Sequence, residues 1–216
     1  MKSSKLRVKG GLRPSFFAMN FARISSLVFL IITCLGCNNK QSEKQSANLL
    51  FAIDLTGLDG RICHILPPTN KKTCVILFLS PDCPLCQSYT PLLRKLYHQY
   101  QEKGFGFDAI FPGALYSPSE ISAYRSTGEL AFECMQDKDF KLTRWLKATV
   151  TPEVFVTSDD GKILYQGRID NWAFETGKTR LKADTHELED ILARIDAGKE
   201  PDISKTDAVG CLIESK

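Results

Sequence analysis

Histidine is scarce in this chain: His64, His98 and His186 are the three among 216 residues. Three scattered imidazoles do not supply the clustered ligands of a metal centre, and each is expected to be solvated or to cap an element. No internal repeat appears, which excludes solenoid and propeller arrays. No basic stretch is interleaved with aromatic residues, which argues against nucleic acid. The net charge of +3 is misleading on this point. Lys2, Lys5, Arg7, Lys9, Arg13 and Arg23 lie in the first 36 residues with no Asp or Glu, leaving 22 basic against 25 acidic residues after them. The remainder is slightly acidic. No apolar run is long enough to cross a bilayer comfortably, since the longest, residues 24–36, falls short of the length a spanning helix needs.

That short apolar run has the length of a signal-peptide core, so residues 1–37 are expected to be an export leader. Met19-Asn20-Phe21-Ala22-Arg23 followed by the core is a complete leader in itself, so translation is as well explained from Met19 as from Met1. Gly36-Cys37, followed by the polar run Asn38-Asn39-Lys40-Gln41-Ser42-Glu43-Lys44, resembles a bacterial lipoprotein cleavage site. The resemblance implies lipid on Cys37, residues 38–48 as a tether, and a place in the bacterial cell envelope facing the periplasm. One departure is Cys34, which stands where a leucine is usual. A plain cleaved signal is the competing reading.

The segment after Val75-Ile76-Leu77-Phe78-Leu79 carries the chemistry. A buried strand runs directly into Ser80-Pro81-Asp82-Cys83-Pro84-Leu85-Cys86 and then into a helical pattern. Two thiols three positions apart at a helix start read as a redox-active dithiol. Unpaired N–H groups and the positive end of the helix dipole favour a thiolate at the first of them. Asp82 opposes this, because a neighbouring carboxylate raises a cysteine pKa. The strand before Cys83 also lacks a buried acid to accept the proton of Cys86, and Glu153 is the candidate substitute.

Along the rest of the chain, strand and helix signals alternate. Residues 49–55 and 61–66 read as short strands about the turn at Leu58-Asp59-Gly60, and residues 67–70 as a loop. Residues 84–101 have apolar positions at helical spacing. Residues 104–111 form a strand, 118–124 a short helix capped by Ser117, 131–135 a strand and 140–147 a helix. Residues 154–156 and 162–168 flank Ser158-Asp159-Asp160-Gly161, a hairpin signal. Residues 185–197 are a final amphipathic helix. Parallel units followed by an antiparallel hairpin predict an α/β fold, a three-layer α/β/α sandwich around a central mixed sheet. One domain spans residues 49–197, with a tail over 198–216 that is free to move.

Thr151-Pro152, entering the strand Glu153-Val154-Phe155-Val156, stands where thioredoxin-like folds place a cis proline facing the dithiol. With the Cys-x-x-Cys, Pro91 within the first helix and the Asp159-Asp160-Gly161-Lys162-Ile163 hairpin, the chain resembles the thioredoxin superfamily. The long interval from Cys86 to Pro152 is similar to that of exported TlpA-like and AhpC/TSA-type redoxins. The Tyr165-Gln166-Gly167-Arg168-Ile169-Asp170 segment and the Ala208-Val209-Gly210-Cys211-Leu212-Ile213 tail resemble a bacterial redoxin subgroup within AhpC/TSA. That subgroup often lacks the second cysteine of the motif. The resemblance therefore implies that Cys83 and Cys211 are the inherited pair and Cys86 an addition.

The expected activity is thiol–disulfide exchange without a cofactor. Cys83 attacks, Cys86 resolves, and Pro84, Thr151 and Pro152 line the substrate site, with Cys211 as an alternative resolving thiol. Expected partners are protein thiols and disulfides and a membrane-bound thiol donor, with a lipid anchor in the membrane. Three readings compete. A peroxiredoxin-like peroxidase would use Ser80 before a peroxidatic Cys83, but Ile76 stands where its proline is needed. A copper module would want one more residue between the cysteines and a distant histidine. A non-catalytic redoxin would keep Cys83 permanently paired. Cys63 and Cys74 flank the proline loop as a candidate structural disulfide, and Cys134 is expected in the core. Trp172 and Phe174 are candidates for the groove beside the dithiol.

Overall fold

Strand β3, Thr73–Phe78, is the centre of the molecule, and all six of its residues are buried. A strand covered on both faces must be apolar along its whole length, which is why this run lacks the alternation of a surface strand. The computed structural model describes residues 49–65 and 73–214. The leader, Cys34, Cys37, the tether and the loop at residues 67–70 lie outside the described residues.

Parallel to β3 runs β4, Phe105–Pro112, and parallel to β4 runs β5, Glu133–Asp137. On the other side of β3, β7 (Glu153–Ser158) pairs antiparallel and turns into β8 (Ile163–Gly167). Short strands β1 (Leu55–Gly57) and β2 (Ile62–Cys63) close the sheet beyond β5, giving the order β2-β1-β5-β4-β3-β7-β8. The mixed sheet expected from the sequence is present.

Alternate residues of β3 face opposite layers. Val75, Leu77 and Leu79 meet Leu93 and Leu96 of α1 (Pro84–Tyr100) and Leu188, Ile191 and Leu192 of α4 (Glu187–Asp196). Ile121 of α2 (Pro118–Thr127) joins this layer. Cys74, Ile76 and Phe78 meet Leu142 and Leu146 of α3 (Lys141–Leu146), together with Leu50. Each fully buried aliphatic or aromatic side chain contributes roughly 2 kcal/mol relative to exposure. Helix α2 starts with a full capping box: the Ser117 hydroxyl accepts from the Glu120 N–H and the Glu120 carboxylate accepts from the Ser117 N–H. No helix among the described residues is long and apolar enough to cross a membrane.

Three expectations change. Residues 49–50 are helical and 51–52 form a turn, so the first strand starts only at Leu55. A short apolar run has no periodicity that separates strand from helix, and the Leu49-Leu50 pair fits either. Residues 173–179 add a small hairpin of β9 (Ala173–Glu175) and β10 (Lys178–Thr179). The tail is not loose. Its strand β11, Cys211–Leu212, pairs antiparallel with β6, Val150–Thr151, and residues 204–206 bond along β8.

Candidate active site

At the C-terminal end of β3 the chain must leave the sheet and start α1, and Cys83 is the residue that makes this change. It is the N-cap, extended at φ −76°, ψ 116°, and Pro84 follows in the first turn, where a missing N–H costs nothing. The Cys83 carbonyl accepts the N–H of Gln87, 3.1 Å away. Cys86, three residues on, is carried inward by the first turn and is fully buried.

Opposite the two thiols lies the β6–β7 turn. The Thr151–Pro152 peptide bond is cis, as the sequence predicts. The Thr151 carbonyl oxygen lies 3.1 Å from Cys83 Sγ and accepts its S–H when the thiol is protonated. Glu153, next in sequence, is buried, and its carboxylate is held by the N–H groups of Thr149 (2.8 Å) and Val150 (3.5 Å) and by Gln166 Nε2 (2.9 Å).

Three thiols meet here. The hydrogen bond from the Cys86 thiol, and after it that from the Cys211 thiol, overcome burial and draw Cys83 down to about 5. Burial and the proximity of Cys83 push Cys86 well above the ordinary thiol value. Burial, Cys83 and the Asp82 charge push Cys211 up to about 12. The arrangement favours the thiolate at Cys83 over Cys86 and Cys211. All three cysteines are free.

Asp82 does not act on Cys83 as expected. Its carboxylate turns away to Ser80 Oγ, 2.6 Å, and to the Tyr116 hydroxyl, and these donors hold it below the usual carboxylate range. Its charge is felt at Cys211 instead. The sequence gives no sign of Tyr116 in this role, since it lies 34 residues downstream on the loop before α2. A groove of about 450 Å³ opens beside this network, lined by Ser80, Asp82, Tyr116, Phe140, Cys211 and Leu212 among others.

The remaining candidates fall elsewhere. Trp172 stacks edge-on against Tyr89 of α1 at 5.6 Å, and Phe174 is half exposed beneath Arg180. His64 bonds to Asp54, and His98 lies in the last turn of α1. Among the described residues no group of three or more His, Cys, Asp or Glu side chains is arranged to hold a metal ion. Cys63 and Cys74 do not form the candidate disulfide, and the Cys74 thiol donates to Asp108 Oδ2 at 3.3 Å.

Solved structures share this architecture. A hypothetical protein of Sinorhizobium meliloti superposes with a TM-score of 0.67 at 18% identity, covering 76% of this chain and 91% of that one. An uncharacterised conserved protein of Geobacillus kaustophilus gives 0.66 at 21% identity, covering 76% and 88%. A thioredoxin-like protein of Aeropyrum pernix gives 0.51 at 16% identity, covering 63% and 90%. A search of curated protein sequences finds no match. The fold is thioredoxin-like, and residues 52–166, more than half of the chain, match the model of the AhpC/TSA family: the protein belongs to the AhpC/TSA family.

Proposed function

We propose that the protein is a thiol–disulfide oxidoreductase that acts on protein thiols and disulfides through Cys83 and Cys86. The observation that carries this reading is the geometry at the start of α1, where Cys83 is the N-cap facing the cis Thr151–Pro152 bond and Cys86 is buried one turn on; Cys83 is drawn down and Cys86 pushed up. One sulfur is ready to attack at neutral pH and the other is protected until needed.

In the reductive direction, the Cys83 thiolate attacks a substrate disulfide. The substrate S–S bond breaks, a Cys83–substrate disulfide forms, and the other substrate sulfur leaves as a thiolate. Cys86 then passes its proton to the thiolate released in the first step and attacks the Cys83 sulfur. This closes Cys83–Cys86 and releases the second substrate thiolate, so the substrate gains the two electrons the dithiol loses. The charge on Cys83 that holds the Cys86 proton vanishes once Cys83 is in the mixed disulfide, which lowers the cost of ionising Cys86 at the step that requires it. Pro84 fixes the entry to α1, and Thr151 and Pro152 present the substrate with a backbone edge. Glu153, tied to Thr149, Val150 and Gln166, serves as a positioning residue for that edge.

Residues 1–37, read as an export leader, would put this chemistry in the cell envelope. There the chain, anchored through a lipid on Cys37, would be returned to its reduced form by a membrane-bound thiol donor. Cys211 supports a second reading of the resolving step, because it too lies within hydrogen-bonding reach of Cys83. The peroxidase alternative draws no support from Ser80, whose hydroxyl is engaged with Asp82 and Tyr116. His98 stands about 20 Å from Cys83 at 1.5 Å per helical residue, too far to share a copper ion with it.

A glutathione redox titration with alkylation and peptide mass mapping tests the assignment. A reversible Cys83–Cys86 disulfide is the expected result. Exclusive pairing of Cys83 with Cys211, or a Cys83 that never titrates, would overturn it.

A further inference from the structure

The edge of β6 beside the cis peptide bond is the place where an extended polypeptide could add as a strand, and this molecule already fills it. Cys211 pairs with Thr151 and Leu212 with Val150, antiparallel, and the Ile213 N–H donates to the Thr149 carbonyl at 2.9 Å. The geometry is β-augmentation, in which backbone hydrogen bonds hold the added strand and side chains select it. Here the added strand is the chain's own terminus.

Two stations hold it. The first lies on β8: the Gln166 N–H donates to the Ser204 carbonyl and the Thr206 N–H to the Gln166 carbonyl, both at 2.9 Å. The Thr206 hydroxyl also meets Tyr165 Oη at 2.6 Å and accepts the Arg168 N–H at 3.1 Å. At the second station the backbone of Gly210 lies flat on the Thr151–Pro152 bond, where a Cβ would collide with the Thr151 carbonyl. Glycine is required there for closeness of approach. At the second station Cys211 lies beside Cys83, which is 1% exposed, and Val209 packs against the core cluster that contains both cysteines of the dithiol. The outward side of the added strand is bare, with Leu212 80% exposed.

We propose that β11 is a built-in pseudo-substrate that sets substrate selectivity: it occupies the backbone edge beside Cys83 that a polypeptide disulfide must use and admits small disulfides more readily than proteins. This rests on the dithiol reading above. A small disulfide needs only the Cys211 side chain to rotate away from Cys83, a motion available to an exposed residue on the ps–ns scale. An extended protein segment needs the whole strand gone, because its backbone must take the bonds that residues 211–213 now make. The tail also helps to hold Cys83 ionised through the Cys211 thiol, so the seated form keeps the dithiol primed while it is shielded.

The proposal separates the strand from its sulfur, and full-length variants do the same. Gly210→Val forces the strand off the Thr151 carbonyl but keeps every cysteine. Ile213→Pro removes the donor to Thr149 without touching the dithiol. Cys211→Ser keeps the strand and removes the thiol. The rates to compare are reduction of insulin, a protein disulfide, and of hydroxyethyl disulfide, which has no peptide backbone. Amide hydrogen exchange at residue 211, whose N–H faces β6 in the same register as that of Ile213, reports whether the strand is seated.

If the tail is seated in about nine molecules of ten, unseating it raises insulin reduction roughly tenfold. For Gly210→Val and Ile213→Pro we expect that rise with loss of protection at residue 211, while hydroxyethyl disulfide changes less than about threefold, the residual being loss of shielding at one side chain. Cys211→Ser should keep the wild-type preference for the small disulfide and the protected strand. Equal gains on both substrates, or lost protection with no gain on insulin, would overturn the gate and leave the dithiol mechanism standing. Failure of wild type and all three variants to reduce either disulfide would instead refute the dithiol mechanism, and the gate with it.

Discussion

The described part of the molecule holds six cysteines, three near each end of the parallel strands, and the two groups have opposite character. At the C-terminal end, Cys83, Cys86 and Cys211 share one proton-poor site. At the other end, Cys63, Cys74 and Cys134 line a cavity of about 850 Å³ with Asp108 and Glu133. There burial, followed by the charges of Asp59, Glu133 and Asp108, raises Cys63. Burial pushes Cys134 up to about 12 even with Arg125 nearby, and Cys74 donates its proton to Asp108 at 3.3 Å. Three thiols close together are therefore not enough for reactivity. What differs is the company: a helix start and two donor thiols lower one sulfur, whereas burial and nearby carboxylates raise Cys63 and Cys134.

The sharpest way to break this contrast is to remove one thiol from each end. Cys83→Ser should cost about a thousandfold or more in insulin reduction, because the attacking sulfur forms the covalent intermediate. Cys63→Ala, Cys74→Ala and Cys134→Ala should each stay within about twofold, with stability losses near 1 kcal/mol, in the ordinary range for single substitutions. Cys86→Ser comes next in size: the first step survives and the second does not, so a Cys83–substrate disulfide should accumulate and be visible by mass spectrometry under non-reducing conditions. A far-end variant as damaging as Cys83→Ser would end the distinction.

Acid sharpens the same comparison. Cys83 has a folded-state pKa of about 5 against 9.0 as the ordinary value. Between these limits the unfolded chain binds a proton that the native protein does not, so stability rises with pH across that window. The contribution is complete above the unfolded value and is lost as pH falls through about 5. Cys86 and Cys211 are raised, so they stay protonated in both states below 9 and do not contribute to that slope. Urea unfolding from pH 6 to pH 8 should therefore show a steeper rise for wild type than for Cys83→Ala. Iodoacetamide labelling of Cys83 should have its midpoint near pH 5, while Cys63 and Cys134 label only in alkali. Parallel urea curves, or a labelling midpoint near 9, would remove the thiolate from the site.

How far the sequence shows this division depends on what each part rests on. The dithiol, β3 and α1 were legible because local patterns carry them: an unbroken apolar strand, a Cys-x-x-Cys and a helical spacing all within residues 75–100. The hairpin of β7 and β8 and the cis Thr151–Pro152 bond were legible from turn residues and their order along the chain. The tail strand was not. Both residues of β11 are exposed, so no buried face imposes an alternation, and only pairing with β6 makes it a strand. Its one local trace is Gly210, and the reason for that glycine is the Thr151 carbonyl 59 positions earlier. Asp82 was misjudged for a related reason. Adjacency to Cys83 suggests repulsion, but the partners that turn the carboxylate away, Ser80 and Tyr116, are set by the loop and by the tertiary fold.

That last case gives the smallest effect and the finest test of what separates the three active-site thiols from one another. Asp82→Asn removes a charge that reaches Cys211 and leaves the donors of Cys83 in place. The labelling midpoint of Cys211 should therefore move down, toward the ordinary thiol value, while that of Cys83 stays where it is. An exposed charge acting through solvent is worth at most about 1 kcal/mol, so the movement should be under one pH unit. Tyr116→Phe removes one donor to Asp82 and should shift the Asp82 carboxyl up, with no change at Cys83. A fall in the Cys83 midpoint in Asp82→Asn would mean that the carboxylate does oppose its neighbour. The sequence-local view of this site would then be right, and the rotation of Asp82 toward Tyr116 would not isolate it from the reactive sulfur.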